Sequence, residues 1–140
     1  MGRINLGRVV IGGLLAGLII NFGEFILNGV LLAEEMTAAM AAINKPPVDS
    51  TMIMWFVLFG FGLGFMLVWT YAAMRPRFGA GVKTAICASM VVWGLAYLYP
   101  NLFMIIINIF PRDMMVMVTV WGLIELIVAG IAGAAVYQEA

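Results

Sequence analysis

The stretch 9-VVIGGLLAGLIINFGEFILNGVLL-32 decides the fold. Apart from Asn21, Glu24 and Asn28, every residue in it is apolar or glycine. A bilayer's hydrocarbon core is crossed by about 20 mainly apolar residues in helical form, and this run supplies them. Strands of a membrane barrel would instead show as short alternating segments. Residues 52–73, 82–109 and 114–137 repeat the pattern. The predicted fold is all-α: an integral membrane bundle of four transmembrane helices, formed by a single domain over residues 1–140.

The composition agrees. Hydrophobic residues make up 65% of the chain and charged residues 10%, against about 45–50% and 25% in a soluble domain, so lipid is the expected solvent. Seven basic and seven acidic side chains cancel, which leaves no surplus of positive charge for nucleic acid. The chain has no histidine, and so lacks the commonest metal ligand and the commonest general base near neutral pH. Cys87 stands alone and reads as a small packing residue, and the 12 methionines read as flexible packing rather than a soft-metal site. The glycines of RPRFGAG lack the GK[ST] ending of a phosphate-binding loop. With no recognisable nucleophile or acid–base pair, the expectation is a protein that is not an enzyme and holds no metal or histidine-ligated cofactor. An apolar cradle for a lipid, quinone or pigment needs no motif and stays open.

Charge sets the orientation. Arg3, Arg8, Arg75, Arg77 and Lys83 fall on one side of the four spans, and Lys45 and Arg112 on the other. Because basic residues concentrate on the cytoplasmic side, both termini are expected to be cytoplasmic, in one orientation. Arg3 and Arg8 ahead of an apolar run imitate a signal peptide, but Asn21, Glu24 and Asn28 interrupt that run and no small-residue cleavage site follows. It is therefore expected to stay as the first span. The segment AEEMTAAMAAIN (33–44) has helix-forming composition, either extending span 1 or lying at the interface, with Pro46 and Pro47 ending it. Residues 74–81 and 111–113 read as the other two loops. Trp55, Trp69, Tyr71 and Tyr137 lie near span ends, where interfacial anchoring and lipid-facing or packed aromatics are equally compatible, and Arg75, Arg77 and Lys83 lie where anionic headgroups are expected.

Polar residues inside the spans are the functional candidates. Gly17, Asn21, Glu24 and Asn28 share one helix face. In span 4, Gly122, Glu125, Ala129 and Ala132 repeat nearly the same spacing, and in span 3 Tyr97, Asn101, Met104 and Asn108 share a face that Pro100 is expected to kink. A buried cluster of Asn21, Glu24, Asn28, Asn101 and Glu125 follows, near mid-membrane or in its outer half. It serves either as a proton, ion or substrate pathway or as hydrogen-bonded glue between helices. GLIINFGEF (17–25) and VWGLIEL (120–126) echo each other across spans of opposite direction, as inverted repeats do. Gly60 with Gly64, Gly122, and Ala129 with Gly133 are candidate helix-packing positions, within the bundle or between subunits.

Residues 71–85, YAAMRPRFGAGVKTA, resemble the cytoplasmic turn of an uncharacterised family of small four-span bacterial membrane proteins. The resemblance covers mainly this turn and the helix pattern. It implies a multi-pass protein of the bacterial inner membrane and no particular activity. The resulting expectation is a small non-enzymatic membrane protein whose partners are the lipid bilayer and either further copies of itself or other membrane subunits. The alternative is a small channel or proton-coupled transporter using Glu24 and Glu125.

Overall fold

The computed structural model describes residues 3–139, which form helices and connections without a strand. In chain order the helices are α1 (Leu6–Leu31), α2 (Ala33–Ala42), α3 (Ser50–Phe78), α4 (Val82–Ile107) and α5 (Arg112–Ala135). All but α2 are long and apolar enough to cross a membrane. At 1.5 Å per residue, the 26 residues of α1 or α4 extend about 39 Å, beyond the roughly 30 Å of a hydrocarbon core.

Local chemistry sets the helix ends. The Asn5 side chain accepts from the Arg8 N–H at 3.1 Å and starts α1, and the Asp49 side chain accepts from the Met52 N–H at 2.8 Å and starts α3. Between them, Leu32 leaves helical geometry at φ −114° and ψ 14°, so α2 is a separate helix rather than an extension of span 1. It ends at Ala42, ahead of the two prolines, with Asn44 in the left-handed region at φ 55°. The expected loop over 74–81 is mostly helix. α3 continues through Arg75, Pro76 and Arg77 to Phe78 and stops where Gly79 takes φ 84°, because a proline near a helix end removes a single ladder bond and glycine alone enters that φ range freely. The last connection lies two residues earlier than expected: α4 ends at Ile107, Asn108 turns left-handed at φ 54°, and α5 already begins at Arg112.

α1 packs along α3 and α5, and α4 packs on α5 and on the near half of α3. Small residues make the α1–α3 seam. A Cβ added to Gly64 would lie 2.5 Å from the Gly13 carbonyl oxygen and the Gly17 nitrogen, and one added to Gly60 would meet the Asn21 side chain. Gly133 closes the α1–α5 seam in the same way, against Val68 and the Gly12 carbonyl, and Ala129 is fully buried beside it. The candidate packing positions thus lie on seams inside the chain. Ala16, Ile20, Leu67, Val68 and Leu126 fill the main core. A second cluster, Leu27, Leu32, Met114 and Met115, receives Met36 from α2 and closes the far end.

Both termini lie at one end of the bundle. The Asn5 N–H donates to the Tyr137 hydroxyl at 3.2 Å, and the Gly81 N–H donates to the Tyr71 hydroxyl at 3.2 Å. The two tyrosine rings meet edge to face with centroids 5.9 Å apart. Arg75 lies over the Tyr137 ring at 5.5 Å, with its Nε 3.7 Å from Glu139. Tyr71 and Tyr137 are each only 4% exposed, so they tie the bundle end together instead of anchoring it in lipid; Trp55 and Trp69 do face outward. Cys87 is likewise exposed rather than packed. The buried positions of α4 are Thr84, Ala85, Ala88, Ser89 and Val92, and residue 87 falls on the opposite face of that helix.

Candidate functional site

α1 and α4 each carry a wide turn near the site. Leu32 N–H reaches back five residues to the Leu27 carbonyl at 2.8 Å, closing a π turn over Leu27–Leu31. In α4 the π turn covers Gly94–Leu98, with Tyr99 N–H bonded to the Gly94 carbonyl. Pro100 accounts for the second, since it has no N–H for the Ala96 carbonyl and its ring crowds that oxygen. The wider turn relieves the clash and sets the direction of Tyr97. Turns of this kind recur at functional sites.

Three helices then converge. The Tyr97 hydroxyl from α4 lies 2.6 Å from Glu24 Oε1 on α1 and 3.2 Å from Glu125 Oε1 on α5. The second oxygen of each carboxyl has its own donor: Asn28 Nδ2 reaches Glu24 Oε2 at 2.7 Å, and Trp121 Nε1 reaches Glu125 Oε2 at 3.1 Å. Glu125 is 6% exposed, while Glu24 is half-buried. Two glycines make room. A Cβ at Gly23 would strike the Glu125 carboxylate, and one at Gly122 would lie 2.5 Å from the Tyr97 ring. Counted at 1.5 Å per residue, Glu24 lies about 10 Å and Glu125 about 20 Å from the α2 end of their helices, which is the middle to that half of the bundle.

The chemistry of this cluster follows from counting protons and charges. A phenol has one proton, yet the Tyr97 oxygen is within bonding distance of two carboxyls. Once that proton is given to Glu24, the contact with Glu125 is satisfied best when Glu125 brings a proton of its own. No cation offsets the pair, because the basic residues described all lie near the bundle ends and the ion pair among the described residues is Arg75 with Glu139. A lone carboxylate at membrane depth costs at least about 2.5 kcal/mol. Neutralising such a pair therefore takes a shared proton or a nearby cation.

The other polar residues are placed elsewhere. Asn21 Nδ2 donates to the Gly17 carbonyl at 2.9 Å and to the Val57 carbonyl of α3 at 3.2 Å, so it braces α1 on α3. Asn101 donates to Thr119 Oγ1 at 2.8 Å, and Thr119 in turn donates to the Met115 carbonyl at 2.7 Å, a polar brace between α4 and α5. Trp93 Nε1 adds a bond to the Thr119 carbonyl at 2.9 Å. Of the five expected members, the structure brings together Glu24, Asn28 and Glu125, joined by Tyr97 and Trp121. Tyr97 was legible as a member of its helix face but not as the bridge. Trp121 precedes Glu125 by four residues, a spacing at which helical side chains meet. At the basic end, Arg77 and Lys83 are exposed, whereas Arg75 is drawn onto Tyr137.

Compared with known proteins, the chain matches no family model, and no curated protein or solved structure is similar to it at a significant level.

Proposed function

We propose that this chain is a small non-enzymatic membrane carrier or channel that moves protons, alone or coupled to a second solute, through the Glu24–Tyr97–Glu125 cluster. One observation carries the reading: two carboxyls from different helices meet on a single hydroxyl inside a bundle of apolar helices, with no basic side chain among them. Buried glue needs donors and acceptors in equal supply, and asparagines or threonines provide both. A pair of acids lacks protons, and gaining or losing one changes the charge of the bundle interior. In reconstituted vesicles, wild-type protein is expected to dissipate a pH gradient, and Glu24→Gln or Glu125→Gln to abolish the flux. Unchanged flux in both variants would remove the pair from the mechanism.

The basic end carries five of the seven Lys and Arg residues. On the positive-inside rule this supports a cytoplasmic location for both termini, and with the resemblance of the 71–85 turn it supports the bacterial inner membrane. Arg77 and Lys83 then sit against anionic headgroups.

A second reading, a homo-oligomeric assembly unit or an accessory subunit of a larger membrane complex, is favoured by α4. None of its residues from Gly94 to Ile107 is buried within the chain. Native mass spectrometry in mild detergent that returns only monomer, with no co-purifying subunit, counts against it.

A further inference from the structure

Toward the end of the bundle that carries α2, α3 and α4 separate. α3 packs on α4 along Val82–Trp93, whereas Gly94–Ile107 lean on α5. On α3, no residue from 50 to 59 is buried. Around the bundle the helices run α1, α3, α4, α5, so a gap between α3 and α4 opens onto the α1–α5 seam. That seam holds Glu24 and Glu125, and Tyr97 crosses to it from the α4 side. Glu24 is the less buried of the two acids.

The two flanking segments are apolar. Their exposed side chains include Trp55, Phe56 and Phe59 on α3 and Leu95, Leu102 and Phe103 on α4. A hydrated inorganic ion entering between them finds few oxygens to replace its water shell. Among the described residues, no three His, Cys, Asp or Glu side chains gather to ligate a metal. An organic cation with an apolar body loses nothing against such walls. At the inner limit it meets two carboxyls and the ring of Tyr97, and an aromatic face attracts a cation, more as water is excluded.

We propose that the gap between α3 and α4 admits amphipathic monovalent organic cations from the bilayer, which bind at Glu24 in exchange for the proton the cluster holds. The inference rests on the proton-carrying reading and adds the solute class and its route. The exchange balances in charge: Glu125 gives up its O–H proton to water, which leaves two carboxylates, and the incoming cation beside Glu24 offsets the added negative charge. The groups facing the exchange are Glu24 from α1, Glu125 from α5 and Tyr97 from α4, with Asn28 and Trp121 as neutral donors.

The test is equilibrium dialysis of the full-length detergent-solubilised protein with radiolabelled tetraphenylphosphonium, together with pH recording in weak buffer. Saturable binding is expected, with about one proton released per cation bound, and at least tenfold weaker binding by Glu24→Gln. Tetramethylammonium, which has the charge without the apolar body, is expected to compete poorly. Absence of saturable binding by folded wild type, binding without proton release, or equal displacement by potassium each overturns the proposal. If Glu24→Gln fails to fold, the wild-type proton count decides. Proton flux in vesicles that depends on Glu24, without tetraphenylphosphonium binding, would sink this inference and leave the proton-carrying reading standing.

Discussion

The Tyr97 hydroxyl is the most consequential single atom in the bundle, because one O–H serves two acids and joins three helices. Tyr97→Phe removes it while keeping the ring that packs on Gly122. Hydrogen bonds to charged groups contribute about 1.5–3 kcal/mol, whereas those measured between membrane helices average about 0.6 kcal/mol. The expected cost is therefore roughly 1–3 kcal/mol, read as a lower unfolding midpoint in detergent. Because both acids lose their shared partner, proton flux is expected to fall further than stability does. A variant with normal flux and a lowered midpoint would identify Tyr97 as packing alone. Trp121 shows how the second acid is placed: its N–H, one turn before Glu125, orients the carboxyl toward α4 and away from lipid.

At the scale of elements, the glycine seam between α1 and α3 shows what small residues do in a bundle of apolar helices. Without a hydrophobic force between helices, close backbone approach supplies the attraction. The three atoms nearest to a Cβ at Gly64 are backbone atoms of Gly13 and Gly17, which cannot swing aside as a side chain would. Gly64→Ala is expected to cost about 1–3 kcal/mol through overpacking. Gly62, on the same helix, has nothing within 4 Å of an added Cβ, so Gly62→Ala is expected to be neutral or slightly stabilising, in line with the higher helix propensity of alanine. Parallel detergent-unfolding curves check the pair; equal midpoints would mean that the α1–α3 contact is looser than described. The same comparison bears on assembly, since residues on internal seams are not free to pair subunits.

Across the whole molecule, charge is divided between the two ends. One end collects Arg3, Arg8, Arg75, Arg77 and Lys83 against Glu139, and the other collects Glu34, Glu35, Asp49 and Asp113 against Lys45 and Arg112. Such a division favours a single orientation over dual insertion. With Cys87 replaced by alanine, a cysteine at Ser50 is expected to react with a membrane-impermeant maleimide in intact cells, and one at Ala80 only after permeabilisation. The reverse pattern would invert the bundle. Labelling of both sites in intact cells would point to two orientations.

How much of this was legible in the sequence depends on the range of the force involved. The sequence by itself determined the four long apolar helices, the division of charge and the places of Glu24 and Glu125 within them, since hydropathy and helical spacing act along a single chain segment. Which neighbours those acids meet was decided only by the tertiary structure. Asn21 and Asn101 share helix faces with the site, yet each found a nearer partner, Val57 and Thr119. Tyr97 reached the acids because the π turn beside Pro100 sets its direction and Gly122 leaves room for its ring. Tyr71 and Tyr137 turned inward for the same kind of reason: each found a backbone N–H at the closed end of the bundle. A helix face specifies a direction. The partner standing there depends on how closely the glycine seams let neighbouring backbones approach.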